Sequence, residues 1–141
     1  MAFDTVGGYL KDVRTLLQDK VQPYRYSTHS LVRALNLTLL EMRRVRPDLF
    51  VDYLDNVPQY FAAPDDDLLP DVPEEAMTSV LQEWLPLEQQ FRQAVVHGVT
   101  GHAIMRDQED IEDERSTGFM QTMVNILTDA NITKGKQPPK N

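Results

Sequence analysis

Apolar residues along this chain recur at helical spacing in several stretches, and proline separates most of them. Val6, Leu10, Val13 and Leu17 step by 4, 3 and 4, which lines one face of a helix over 6–20. Asp4 or Thr5 is placed to cap it. Gly7 and Gly8 each weaken the first turn by about 1 kcal/mol relative to Ala, which points to a close backbone contact or a late start. Pro23 ends the segment, because the residue before a proline disfavours the helical region. After the connector Tyr24-Arg25-Tyr26, Ser27 or Thr28 caps a second helix that runs to about Arg46. Leu31, Leu35, Leu39, Met42 and Val45 give it the strongest periodicity in the chain. Leu37 and Leu40 lie off that stripe, so the apolar face is wider than one neighbour needs. Either the helix sits centrally in a bundle or it touches a second subunit. Arg43, Arg44 and Arg46 crowd the last turn, where cations complement the helix dipole, and Pro47 stops it.

The pattern then changes. Pro58, Pro64, Pro70 and Pro73 and the run Asp65-Asp66-Asp67 interrupt a stretch that still carries Phe50, Tyr53, Tyr60 and Phe61. Such aromatic content is unlike a disordered linker. It reads as a short helical turn near 48–55 and then an extended arm over 56–72, with room for a brief strand around Gln59–Ala62. A loop this long inside a domain usually packs on something. Asp71-Val72-Pro73-Glu74 opens a third helix, with Met77, Val80, Leu81, Trp84 and Leu85 on its apolar face. Pro86 breaks it. A fourth helix follows over about 87–106, with Leu87, Phe91, Val95 and Val99 at intervals of 4 and the small residues Ala94, Gly98 and Gly101 beside them. Small residues in a row let another helix approach closely. The last helix spans roughly 108–129 through Ile111, Phe119, Met123, Ile126 and Leu127. The expected fold is mainly α: a bundle of about four to five helices with an extended arm near 56–72. It forms one domain over 1–132, followed by a polar, basic tail over 133–141 that is flexible in isolation.

The 141 residues match one domain, and the chain has no cysteine, which removes thiol nucleophiles, disulfides and Cys-type metal sites. No stretch approaches the roughly 20 apolar residues of a membrane span, so no membrane partner is expected. The N-terminus lacks the layout of a targeting peptide. The formal charge of −8 is uneven: residues 1–50 sum to +3, residues 51–115 to −13 and residues 116–141 to +2. From Asp52 to Gln90 there is no Lys or Arg. A phosphate-backbone binder needs a clustered basic face, and this stretch is the opposite. An acidic run is ordinarily a solvated surface that aids solubility. The sharper reading is a surface that DNA passes without sticking.

The chain carries few constellations that could do chemistry. His97 and His102 are 5 apart, about 140° around a helix, whereas metal pairs sit 3 or 4 apart. Gly98-Val99-Thr100-Gly101 lacks the lysine and flanking strand of a phosphate loop. Glu109, Asp110, Glu112, Asp113 and Glu114 spray around a helix start rather than converge. No serine stands in a nucleophile elbow. The expectation is a helical interaction module with no catalytic residue, no metal and no cofactor.

Two stretches carry a resemblance. Residues 12–50 hold Leu16, Leu17, Asp19, the connector Arg25-Tyr26-Ser27, and then Leu35, Asn36, Glu41, Arg44, Arg46, Pro47, Asp48, Leu49 and Phe50. Residues 102–127 hold Asp107, Glu109, Asp110, Arg115, Phe119 and Leu127. Together they resemble the opening and the closing helical hairpin of the head-to-tail adaptor (connector) proteins of tailed bacteriophages. The resemblance covers about half of the chain and does not extend to residues 51–85, where insertions vary among such proteins.

The resemblance implies a structural virion protein, made in the host cytoplasm and resident at the neck. There, commonly twelve subunits form a ring beneath the portal, extend the DNA channel and dock tail or nozzle proteins. Genomic DNA passes through such a ring without specific binding. Twelve copies would carry roughly −96 formal charges, in keeping with a lumen that does not hold DNA. The contact residues expected on this reading are Tyr24, Arg25, Tyr26, Leu37, Leu40, Tyr60, Phe61, Lys134, Lys136 and Lys140. Either the tail or the 56–72 arm would reach the portal or a tail protein. The alternative is a small oligomeric DNA-binding protein of the terminase small-subunit type, whose recognition residues would be Arg33, Arg43, Arg44 and Arg46.

Overall fold

The computed structural model of the chain describes residues 4–19, 26–50, 57–62, 77–87, 89–107 and 113–129. Its elements are β1 (Asp4–Thr5), α1 (Val6–Leu17), α2 (Thr28–Val45), α3 (Thr78–Leu81), β2 (Trp84–Leu85), α4 (Arg92–Asp107) and α5 (Asp113–Leu127). Single 3-10 turns lie at Pro47–Phe50 and Gln89–Phe91. Among the described residues the protein is thus a mainly helical bundle of five helices with one small antiparallel pair of strands, as the sequence pattern predicts in outline.

Helix α1 starts where Thr5 accepts the Gly8 amide on its hydroxyl at 3.2 Å. It ends earlier than the proline at 23 requires. Gln18 adopts a left-handed conformation (φ 58°), and the Gln18 and Asp19 amides donate back to Thr15 and Arg14 at 3.2 and 2.9 Å. A non-glycine residue in that region is costly, and the turn it makes delivers Asp19 to Arg14. Helix α2 follows its predicted course. Ser27 accepts the Ser30 amide at 3.1 Å, and the Arg46 amide closes the last turn on Met42 at 2.7 Å. Leu31, Leu35, Leu39 and Met42 are fully buried.

The third helix is the main departure from the sequence reading. Among the described residues it is a single turn, α3, closed by amide bonds from Gln82 and Glu83 to Ser79 and Val80. Trp84 and Leu85 then extend and pair antiparallel with Thr5 and Asp4, and the Val6 amide donates to the Glu83 carbonyl at 2.8 Å. Pro86 explains the switch, since it holds Leu85 in the extended region. The strand pair therefore lies at 4–5 with 84–85. Residues 59–62 form no ladder, although Val57 and Tyr60 turn inward while Gln59 and Phe61 face out. The predicted start at 71–76, the turn beyond Phe50 and the 133–141 tail fall outside the described residues.

Helix α4 occupies the centre and packs on α1, α2 and α5. Phe91, Val95 and Val99, the predicted stripe, are fully buried. A Cβ at Gly98 would stand 2.5 Å from Thr38 Cγ2 and 2.6 Å from Met123 Sδ, so glycine is required where α2, α4 and α5 converge. Gly7 does the same for α1, where a Cβ would meet the Leu81 carbonyl at 3.0 Å. Gly7 and Gly98 are thus contact points between elements, whereas Gly118 faces open space.

Candidate interaction surface

The polar residues of the α1–α2 corner are engaged within the chain. Arg14 is buried and donates to the Asp19 carboxylate and to the Tyr26 carbonyl, both at 3.0 Å, and to the Thr28 hydroxyl at 3.3 Å. Asp19 accepts the Tyr26 amide at 3.0 Å in return. A buried pair of this kind holds only when its remaining hydrogen-bonding positions are filled. Here they are filled by the connector backbone and by the first residue of α2, so the cluster fixes the angle between the two helices.

A second clasp joins α4 to the N-terminus. Arg92 donates to Asp12 and Asp4, both at 2.7 Å, and to the Gly8 carbonyl at 3.0 Å, with its guanidinium 4.5 Å from the centre of the Tyr9 ring. The bond from Arg92 holds the Asp4 carboxyl below its ordinary value of 3.8. Burial pushes the Tyr9 phenol up to about 12. Neither shift produces a group poised to exchange protons near neutral pH.

A third clasp holds the arm. The Asn36 side chain donates to the Tyr60 carbonyl and accepts the Tyr60 amide, both at 2.8 Å, as a strand neighbour would. The Tyr60 hydroxyl donates to the Trp84 carbonyl at 2.8 Å. Residues 57–62 are thereby fastened to α2 on one side and to β2 on the other. Asn36 belongs to the motif quoted above, but nothing in its spacing announces this partner, which is 24 residues away.

These clasps divide the predicted contact residues. Tyr26 and Tyr60 are each only 9% exposed, and the bonds described above tie both within the chain. Leu37, Leu40 and Phe61 stand on the surface at 41%, 44% and 55% exposure, with Phe61 edge-on to His29. Tyr24, Arg25, Lys134, Lys136 and Lys140 lie outside the described residues. Sequence reasoning missed Trp84 by placing it on a buried helix face; it is 62% exposed. Met105 is a second exposed apolar residue that the pattern did not mark. The exposed and half-exposed face of α2 carries Arg33, Leu37, Leu40 and Arg44 at helical spacings of 4, 3 and 4.

Of the arginines named for DNA recognition, Arg46 is engaged elsewhere. It grips Asp48 with bonds of 2.8 Å from two nitrogens, donates to the Leu127 carbonyl at 2.8 Å, and lies over Phe91. Among the histidines, His97 Nδ1 lies 2.8 Å from the Gln93 carbonyl. His102 is buried, with Nε2 unpartnered among the described residues, and burial lowers its pKa while Glu41 opposes the shift. No group of three or more potential metal ligands occurs among the described residues, and no described helix is long and apolar enough to cross a membrane. No protein family, no curated protein and no solved structure matches the chain.

Proposed function

We propose that this protein is a head-to-tail adaptor of a tailed bacteriophage: a passive helical building block that forms a ring, of twelve copies on the family pattern, beneath the portal. The observation that carries the reading is the outer face of α2. Leu37 and Leu40 are well exposed on a helix whose opposite face is the centre of the core. Exposed apolar residues ringed by charge are typical of a surface that a protein partner covers. The motif residues Asp19, Tyr26, Asn36 and Arg46 make the internal ties described above, which suits a rigid block whose role is to be stacked. The net charge of −8 favours a channel that DNA traverses without being held. In this reading the portal lies on one side of the ring, tail or nozzle proteins lie on the other, and the assembled protein resides at the virion neck.

The test is to mix the full chain with its cognate portal and image the product by electron microscopy. A ring stacked coaxially on the portal is the expected result. A gel shift on duplex DNA at low ionic strength addresses the terminase-like alternative. The adaptor reading expects no tight complex; tight binding with a steep salt dependence would replace it with the DNA-binding one.

A further inference from the structure

The backbone of the 57–62 segment is used on one side only. The segment runs without a turn or a bend. Tyr60 donates its amide to the Asn36 side chain and accepts from it on its carbonyl. In an extended segment the backbone groups of the flanking residues point the opposite way. These are the backbone N–H and C=O of Gln59 and Phe61, and among the described residues none of the four makes a hydrogen bond. Gln59 and Phe61 are both exposed. An open strand edge is a template for another strand unless charged side chains guard it, and residues 57–62 carry no charge.

The surroundings of that edge favour a cationic occupant. Phe61 and Trp84 are the two most exposed large apolar residues described, and the Tyr60 hydroxyl bonds the Trp84 carbonyl between them. Glu83 is exposed beside Trp84, and from Asp52 to Gln90 the chain has no Lys or Arg. Lysine is attracted to carboxylates and to aromatic faces alike. The same chain supplies such a segment. Residues 130–141 carry Lys134, Lys136 and Lys140 and no acid. Within them, Asn131 to Gln137 holds the strand-favouring pair Ile132-Thr133 and is closed by Pro138-Pro139, which cannot donate to a ladder. Ile132, Lys134 and Lys136 alternate, so a strand would set them on one face.

The geometry favours the tail of another copy over the chain's own. Helix α5 ends at Leu127, whose carbonyl Arg46 holds. Arg46 lies ten residues, about 15 Å, along α2 from Asn36. The five residues from Asp129 to Lys134 reach at most roughly 17 Å, so a tail from the same chain would be almost taut. It would also run parallel to 59–61, because that segment heads from Asn36 toward His29, which Phe61 meets edge-on. The tail of a neighbouring copy has neither constraint and can pair antiparallel.

We propose that residues 131–137 of one copy add as a strand to the open edge of residues 59–61 in the next, with backbone bonds to Gln59 and Phe61 and the tail lysines beside Phe61, Trp84 and Glu83. Strand addition takes its affinity from main-chain bonds and its selectivity from the flanking side chains. The contact joins two different parts of the same protein, the kind that closes into a ring. It deepens the adaptor reading and rests on it for the ring, while the contact itself needs only two copies of this chain.

Two measurements on the full chain test it. A synthetic peptide of residues 130–141, added in excess, slows amide exchange at Gln59 and Phe61 by about tenfold or more and leaves Tyr60, already bonded to Asn36, unchanged. The same peptide N-methylated at Thr133 and Lys134 loses a donor from either edge, keeps every charge, and gives no protection. The chain has no cysteine, so a mixture of the Phe61→Cys and Lys134→Cys variants, treated with a short bismaleimide at high concentration, gives a mixed dimer. Protection that survives N-methylation, or none from the unaltered peptide, would overturn the proposal. So would Phe61→Cys chains linking to one another in place of the mixed dimer, which is edge-to-edge pairing. A link formed only within a chain carrying both cysteines would overturn it in favour of the chain's own tail. A ring on the portal with neither protection nor mixed dimer keeps the adaptor reading without this contact. Protection and mixed dimers from a chain that does not bind the portal keep the contact and remove the adaptor reading.

Discussion

Leu39 and Leu40 are consecutive residues of one helix with opposite fates. Leu39 is fully buried in the core, while Leu40 is 44% exposed. The inner face of α2 is continuous with the core through Leu31, Leu35 and Met42. The outer face repeats the same residue type at Leu37 and Leu40, which stand 41% and 44% exposed. The inner leucines account for folding by the ordinary burial of apolar area. The outer ones add nothing comparable to the isolated chain, and their presence makes sense when a second molecule removes them from water.

That contrast can be broken most severely at the corner that aims α2. Arg14→Ala leaves Asp19 buried without its cation and costs about 3–5 kcal/mol, read from urea unfolding. Leu39→Ala comes next, at about 3 kcal/mol from lost burial plus a cavity, by the same measurement. Asn36→Ala strips the Tyr60 backbone of two bonds and costs about 1–2 kcal/mol. It also releases the 57–62 segment, so amide exchange at Tyr60 rises well above that of the helix core.

The pH dependence is smaller and has a definite sign. Burial depresses the folded-state pKa of His102 below its ordinary value of 6.5, so the unfolded chain takes up the proton first. The His102 contribution to stability is therefore fully present above that value and declines as pH falls below 6.5. Thermal unfolding between pH 7.5 and pH 5 shows this decline, and His102→Gln flattens it. The smallest effect on folding is the sharpest for function: Leu40→Ala changes stability by no more than about 0.5 kcal/mol, yet it weakens self-association in sedimentation runs.

The long helices were legible because their periodicity extends over many residues: α2 keeps its stripe from Leu31 to Val45, and both of its ends carry local stop or start signals. The third helix was not. Met77, Val80, Leu81, Trp84 and Leu85 fit helical spacing equally well in a helix or in a turn followed by a strand. What decided it is Asp4–Thr5, about eighty residues away, which offers Trp84–Leu85 a pairing edge. The same kind of distance hid Asn36, whose role depends on a segment that returns from elsewhere in the chain. The off-stripe leucines 37 and 40 were visible in the sequence as surplus, since a surplus needs only the helix phase. The burial of Tyr26 and Tyr60 was not, because an aromatic residue in an irregular stretch carries no phase at all.

A head-to-tail adaptor closes into a ring when its portal is present. Native mass spectrometry of the full chain assembled on the cognate portal measures that directly. The predicted result is a single species with one fixed number of adaptor copies, twelve on the family pattern, and no intermediate stoichiometry at saturation. A chain that stays monomeric beside the portal, or attaches in a graded series of copy numbers without closure, would contradict it.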